Sequence, residues 1–462
     1  MAFALLGTLG SYYWRENPSN RTTWLVIVTT LFHAWIDPLG AVFLWFLAWL
    51  VRFFAKRIES SENPLTRRTR TRVAVVGVIV PLVLWRSAQE LLDFASGLGL
   101  TDVALDTVWR PVALGLILLQ AVITIVDVSR KDAPTPSLRE TVLLLGFYPR
   151  ALAGPLVRTG SFCYNLQQKW TGEIPLGKVA MLIVSAAFQR YVIVESLARY
   201  GQSMSANREN LNMFDALLWL ASGPVRVVAD ITAYSYLAVA AALVCGVKLP
   251  YDMKSPFQGH TPGEFLRRWH VTVSGFFRDY AMPLFMGNTG SESRSFISVV
   301  ATCSLIGFWR APGLTSLLWG VMLGLPVAFE TIRHRRRIMS GRRRAVTPQL
   351  RVRIPLIIIT FAYYALISPL TASYSLTKLW DLYSSLFTRP VFAPMHAPLL
   401  AVVCVALALV LGSGSLSRAG ACCERFLDKA PASVVGVFVA VCTSACAGFA
   451  SVGIPMFLYQ AV

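Results

Sequence analysis

Charge is scarce in this chain. Asp, Glu, Lys and Arg make up only 15% of its 462 residues, against about 25% in soluble globular domains. No polar stretch is long enough to fold as an independent soluble domain, so the length does not translate into several such domains. Disorder is excluded, because 55% of the residues are apolar and 12% aromatic. The short segments of alternating polarity that build a transmembrane barrel are missing. The eight cysteines contain no C-x-x-C pair and make no disulfide framework. Cys245, Cys303, Cys404, Cys442 and Cys446 fall inside apolar runs, where a thiol behaves as a small hydrophobe. Cys422 and Cys423 stand beside Arg418 and Arg425 near an expected helix end. For them, unmodified thiols, palmitoylation and metal binding with distant partners stay open, and no metal site is expected. The opening residues lack the charged start and small-residue exit of a cleavable signal, so 1–14 reads as a first membrane segment.

Continuous apolar runs are plentiful. A helix needs about 20 residues to cross the hydrocarbon core, and runs near that length lie at 1–14, 22–36, 39–55, 73–93, 111–128, 139–156, 178–198, 213–229, 231–247, 294–309, 312–330, 354–370, 397–413 and 433–459. The expectation is an all-α, polytopic membrane bundle of about 11 to 13 spans, one membrane domain over 1–462 with no repeat and no low-complexity tract. The shorter runs read as half-helices buried in protein, because only there can an interrupted backbone be satisfied. The net charge of +19 concentrates in 56–72 and in 331–353, between apolar runs. Cytoplasmic loops collect Lys and Arg, so both segments are expected in the cytoplasm. Nucleic acid is not an expected partner, since no aromatic residues alternate with these cations to stack on bases.

The segment 248–293 is too polar for a simple span and too aromatic for a plain linker. Within it, 263–280 has helical spacing: Leu266, Trp269, Val273, Phe276 or Phe277, and Tyr280 make an apolar face, and Arg267, His270, Ser274 and Arg278 a polar stripe. One reading is a re-entrant or interfacial amphipathic helix lying on headgroups. The other gives weight to a titratable histidine among cations in a membrane protein, where ionisable groups are costly and mark function. Asp230, with Arg226 four residues earlier, is a second intramembrane carboxylate. An i, i+4 ion pair would ease the burial of both, either as a structural tie or as part of a channel lining. Gly154–Pro155 reads as a helix break.

The stretch FLRRWHVTVSGFFRDYAMPLFMGN, Phe265 to Asn288, resembles the signature of the membrane-bound O-acyltransferase family, in its bacterial alginate O-acetyltransferase and teichoic-acid D-alanyl transfer branch. YPRALAGPLVR from Tyr148, ADITAYSYLA from Ala229, KLPYDMKSPF from Lys248 and GFWRAPGLTSLLWG from Gly307 are similar to further family blocks in the same order. LFHAWIDP from Leu31 and FLYQ from Phe457 also fit. The resemblance implies a many-helix bundle around a central channel. An acyl donor, such as an acyl-CoA or an acyl carrier, would enter from the cytoplasm as co-substrate, with no bound cofactor. An acceptor hydroxyl on an extracytoplasmic glycan would come from the other side. A bacterial cytoplasmic membrane is the implied setting, with the lipid bilayer, the glycan and an extracytoplasmic or carrier protein as partners. The family's key histidine acts as general base on the hydroxyl, a task suited to imidazole near neutral pH.

Here that histidine is replaced. Arg310 follows Trp309 where the family has Trp-His, and a guanidinium cannot act as a base because its pKa exceeds about 12. Tyr236 and Ala233 also depart from the family pattern, as does the single Gly287 after Pro283. Three readings of Arg310 stay open: lost catalysis, a changed donor or acceptor with His270 as base, or a slipped register. Arg310 itself could stabilise an oxyanion or bind an anionic group. His270 and Arg310 are therefore the expected catalytic pair. Trp269, Ser274, Arg278 and Asp279 are expected at the substrate path. So are Trp309, Asp230 and Tyr234. His260 is a weaker candidate; His33, His334 and His396 read as structural. The enzyme reading is transfer of a short acyl group, acetyl first, to glycan hydroxyls. Its alternative is a degenerate relative serving as a membrane scaffold or acyl-delivery channel.

Overall fold

A computed structural model describes residues 2–97, 114–151, 153–206, 213–286, 291–311, 313–341, 350–371, 380, 382–384 and 417–448. The expected span 397–413, His396, Cys404 and the Phe457–Gln460 block lie outside the described residues. Among the described residues there is no strand, and five helical stretches are long and apolar enough to cross a membrane. The chain is a polytopic helical membrane protein. It forms two compact units, Met1–Ile174 with Ala241–Pro250, and Pro175–Ala240 with Tyr251–Val462.

The first unit contains α1 (Ala2–Tyr13), α2 (Pro18–Ile36), α3 (Pro38–Glu59), α4 (Pro64–Gly97), α5 (Leu114–Arg130), α6 (Leu138–Gly146) and α7 (Thr159–Gln167). Their ends follow local chemistry. Asn17 caps α2, accepting from Asn20 N at 3.2 Å, and Pro18 starts the helix with its φ already set. Ser137 and Glu140 form a capping box on α6. At the other end of α7 the buried Arg21 guanidinium donates to three terminal carbonyls: Asn165 at 3.1 Å, Leu166 at 3.1 Å and Gln168 at 2.9 Å. Those carbonyls have no partner within the helix, so a buried cation serves as the cap. The expected span 139–156 is instead the short α6, a single 3₁₀ turn at Tyr148–Arg150 and an irregular segment at Gly154–Pro155, where Gly154 N turns back to donate to Arg150 O at 2.8 Å. Gln120 on α5 satisfies that opened backbone, accepting from Val157 N at 3.0 Å and donating to Val157 O at 2.9 Å.

The basic segment 56–72 is mostly helical. Lys56 and Arg57 belong to the last turn of α3 and Arg67, Arg68, Arg70 and Arg72 to α4, leaving only 60–63 as the turn. Arg67 and Arg70 donate back to the carbonyls of Ser61 and Arg57, where the negative end of the α3 dipole favours cations.

The second unit opens with α8 (Leu176–Ala187), which passes through a π-helical turn, Phe188–Val194, into α9 (Glu195–Ala206). Next comes α10 (Met213–Leu243), whose final turn belongs to the first unit. Two spans were expected here, 213–229 and 231–247; the structure has one helix of 31 residues. The polar residues that mimic a break are each accommodated: Asp230 faces Arg190 at 3.4 Å, and Thr232 Oγ1 donates to Val228 O at 2.6 Å. Then follow α11 (Pro262–Arg268), α12 (Val271–Phe276), a π turn at Phe277–Ala281, and α13 (Met282–Met286). The long α14 (Glu292–Arg310) and α15 (Leu314–Met339) pack closely: a Cβ on Gly320 would lie 2.5 Å from Cys303 O, and one on Gly324 would lie 2.9 Å from Val300 Cα. This is the small-residue packing by which membrane helices gain contact without a hydrophobic driving force. Arg333 to Arg337 continue α15, so this part of 331–353 is helix, with Arg336 2.6 Å from Glu292. The unit ends with α16 (Leu350–Ile367), α17 (Ser417–Lys429) and α18 (Ala432–Ala447). Leu427 and Val435 pack on Ala180 of α8, while Cys422 and Cys423 are exposed on α17.

Candidate active site

The expected continuous helix 263–280 is broken at its histidine. Thr261 caps α11, accepting from Glu264 N at 3.1 Å, but the helix stops at Arg268 and His270 takes a left-handed conformation, φ 46° and ψ 54°. A non-glycine residue is rare there, although His is one of the types enriched. Such a conformation persists when its surroundings over-determine it, and here they do. The segment 252–254 runs alongside 268–271, with Val271 N donating to Asp252 O at 2.7 Å and Lys254 N to Arg268 O at 2.9 Å. His270 N donates to the Met253 thioether at 3.3 Å. The kink turns His270 inward, to 4% exposure, where the helical stripe would have kept it beside Arg267.

What receives it is Asp252, a residue not singled out from the sequence. Its side chain is fully buried. Oδ2 lies against His270 Nδ1. Oδ1 accepts from Thr272 N at 2.9 Å and from Thr272 Oγ1 at 2.7 Å, which starts α12 on a carboxylate as N-caps do. Burial pushes the Asp252 carboxyl up; the imidazole and the two Thr272 donors outweigh it and hold the group below the ordinary carboxylate range. Asp252 N in turn donates to Ser235 Oγ on α10 at 3.4 Å, tying the histidine loop to that helix.

Arg310 is the last residue of α14 and is buried to 9% exposure. Its guanidinium lies 5.9 Å from the Trp319 ring centroid. Trp319 lies 5.9 Å from Trp269, and Trp269 6.1 Å from His270. Both expected catalytic residues thus belong to one aromatic cluster, at opposite ends of a pair of indoles. Trp309 packs on Phe277 at 5.9 Å, on the π turn. Such turns occur often at functional sites.

The remaining expected residues divide. Asp230 lies on α10 five residues before Ser235, and Tyr234 immediately precedes it. Asp230 pairs with Arg190 of the π turn at 3.4 Å, and that guanidinium also lies 5.9 Å from the Tyr234 ring. This corrects the expected Arg226 pairing: a cation from a neighbouring helix, rather than one on its own helix, faces the carboxylate. Arg278 and Asp279 are engaged with each other at 2.8 Å, with the arginine side chain 58% exposed. Ser274 sits on α12, its N–H bonded to His270 O at 2.8 Å. His260 lies against Glu264 at the α11 cap and His33 Nε2 is 2.8 Å from Gly146 O, both structural placements.

No protein-family model matches the chain. Curated relatives do. The chain is 24% identical over 332 residues to the probable alginate O-acetylase AlgI of Pseudomonas syringae pv. tomato, covering 70% of this chain and 63% of that protein. It is 20% identical over 358 residues to the peptidoglycan O-acetyltransferase of Helicobacter pylori, covering 71% and 68%. It is 26% identical over 191 residues to the teichoic acid D-alanyltransferase of Bacillus subtilis, covering 39% and 45%. The match to the AlgI protein thus spans less than two thirds of that relative's length. Over about 70% of the chain the relatives are thus named for O-acetylation, and over 39% of it for D-alanyl transfer to teichoic acid, the acyl transfer branches that the motifs resemble.

Proposed function

We propose that this chain is a membrane-bound O-acyltransferase of a bacterial cytoplasmic membrane, moving a short acyl group, acetyl first, from an acyl thioester donor to hydroxyls of an extracytoplasmic glycan. The observation that carries this reading is the buried imidazole of His270, turned out of its helix and engaged at Nδ1 by Asp252. A sugar hydroxyl is a poor nucleophile until a base removes its proton, and a positioned imidazole supplies that base. Arg310 keeps its proton at any working pH, so in this reading it stabilises negative charge on the acyl carbonyl oxygen or holds an anionic part of the donor. The indoles of Trp269 and Trp319 stand between the two groups. The relatives named for alginate, peptidoglycan and teichoic acid support a glycan or other envelope-polymer acceptor.

One observation favours a second reading. Arginine stands where the family pattern has its histidine, as in a degenerate relative that serves as a scaffold or delivery channel. A single experiment separates the two. The gene is deleted, then complemented with wild type or His270→Gln at matched protein levels, and acetate released from the exported glycan by mild alkali is measured. The enzyme reading expects deletion to abolish released acetate and His270→Gln to restore roughly 1% or less of it, since loss of a general base costs about 10²–10⁴ in rate. Full restoration by His270→Gln would establish the scaffold reading.

A further inference from the structure

We infer that Asp252 and Thr272 form a clamp that fixes the tautomer of His270, making Nε2 the proton-accepting nitrogen of the site. Asp252 is then a positioning residue. The inference rests on the acyltransferase reading for its consequence, though its geometry stands alone.

The argument begins with donor and acceptor counting. An ionised carboxylate only accepts hydrogen bonds, and a neutral imidazole has one N–H and one lone pair. Asp252 Oδ2 lies against Nδ1, so the proton of the neutral ring belongs on Nδ1, and the lone pair on Nε2. The carboxylate cannot rotate away from this duty. Its other oxygen is occupied by two donors from one residue, Thr272 N at 2.9 Å and Thr272 Oγ1 at 2.7 Å. The backbone bond between Val271 N and Asp252 O, 2.7 Å, fixes the distance between the two chain segments. The left-handed conformation of His270 brings Nδ1 to Oδ2 and places Thr272 two residues on.

The chemical consequence follows. The acceptor hydroxyl gives its proton to Nε2 as its oxygen bonds to the acyl carbon. The ring becomes imidazolium, stabilised by the Asp252 charge at Nδ1. When the tetrahedral intermediate collapses, the bond from carbon to the donor sulfur breaks and the thiolate takes the proton from Nε2. The products are the glycan ester and the free thiol, and the ring returns to its first state. One histidine suffices for this cycle, which is why arginine at 310 is compatible with catalysis.

The clamp makes a specific prediction for Asp252→Asn. Thr272 presents two donors to Oδ1, so the asparagine carbonyl oxygen must stay there and its NH₂ must occupy the place of Oδ2. That amide donates toward Nδ1, which then has to be the unprotonated nitrogen. The proton moves to Nε2, the wrong tautomer for accepting one.

The test uses full-length protein in nanodiscs with ¹³C,¹⁵N-labelled histidine. There are five histidines in the chain, and His270→Gln identifies the signal of His270 by its loss. The wild type is expected to show His270 protonated at Nδ1 and not at Nε2; the reverse assignment would overturn the clamp whether or not any variant folds. Asp252→Asn is expected to reverse the two nitrogens and to lower glycan acetylation in cells at least ~10²-fold, the scale of a lost general base. Thr272→Val keeps the backbone donor, so the wild-type tautomer should persist with only a few-fold loss of acetylation. An unchanged His270 spectrum in Asp252→Asn would overturn the clamp. A reversed spectrum with full acetylation would overturn the positioning role. If gene deletion leaves acetylation intact, the acyltransferase reading fails, and the nitrogen assignments still decide the clamp.

Discussion

Arg310 concentrates the question of activity in one side chain. Its guanidinium is buried at the C-terminal end of α14 and lies over Trp319, a placement that combines the helix dipole, which favours a cation there, with a ring face that attracts one. That setting holds a fixed positive charge at the Trp319 end of the indole pair, and in the acyltransferase reading the charge faces the donor. Arg310→His is therefore expected to lower glycan acetylation about 10²-fold or more, the scale on which removal of one oxyanion donor acts, while His270→Gln remains more damaging. Acetate release from complemented cells measures both. A rise in acetylation with Arg310→His would instead mark Arg310 as a relic standing where the family has its histidine. His270 and Arg310 were legible in the sequence because the motif blocks flank them. Asp252 was not: it sits 18 positions before His270 in the KLPYDMKSPF block, which resembles the family as a block without marking its carboxylate, and nothing in linear spacing says that a loop carboxylate meets a buried ring. The misassigned partner of Asp230 has the same origin, since i, i+4 spacing identifies partners on one helix only.

The elements show how polar residues mislead a reading based on apolar runs. α10 is one helix because Asp230 and Thr232 are satisfied by a neighbouring helix and by the helix's own backbone; the sequence displays only the polar interruption. In 263–280 periodicity hides a break. The spacing of Leu266, Trp269 and Val273 is helical, yet the hydrogen bonds between 252–254 and 268–271 are stronger determinants than periodicity and split the helix at His270. The α14–α15 pair is legible as two spans, but its closeness depends on glycines whose role lies in the packing between the helices. Gly320→Val is expected to destabilise the protein by roughly 1–3 kcal/mol or more, as overpacking does, because its Cβ would fall 2.5 Å from the Cys303 carbonyl oxygen and 2.6 Å from Ser304 Cα, backbone atoms that cannot swing aside. Gly436→Ala on α18, where a Cβ meets nothing within 4 Å, is the control and should be neutral or slightly stabilising. Thermal unfolding in detergent reports both. Equal melting temperatures for Gly320→Val and wild type would show that the two helices tolerate separation.

At the scale of the whole molecule, orientation in the bilayer follows from charge. The cations of 56–72 end α3 and begin α4, and those of 333–337 end α15. Each group sits at the terminus of an apolar helix, where Lys and Arg side chains can reach headgroups and water. Within a few residues of a span such clusters set orientation, because the anionic inner leaflet and the membrane potential both retain them. The turn at Ser60 and the end of α15 at Ser340 are therefore both expected in the cytoplasm. The check is cysteine labelling of Ser60→Cys and Ser340→Cys in sealed cells, in a background where the exposed Cys422 and Cys423 are replaced by serine. An impermeant maleimide should leave both sites unlabelled until the cells are opened. Labelling at either site in intact cells would reverse the assigned orientation for that helix end, and with it the side from which the donor thioester is proposed to enter.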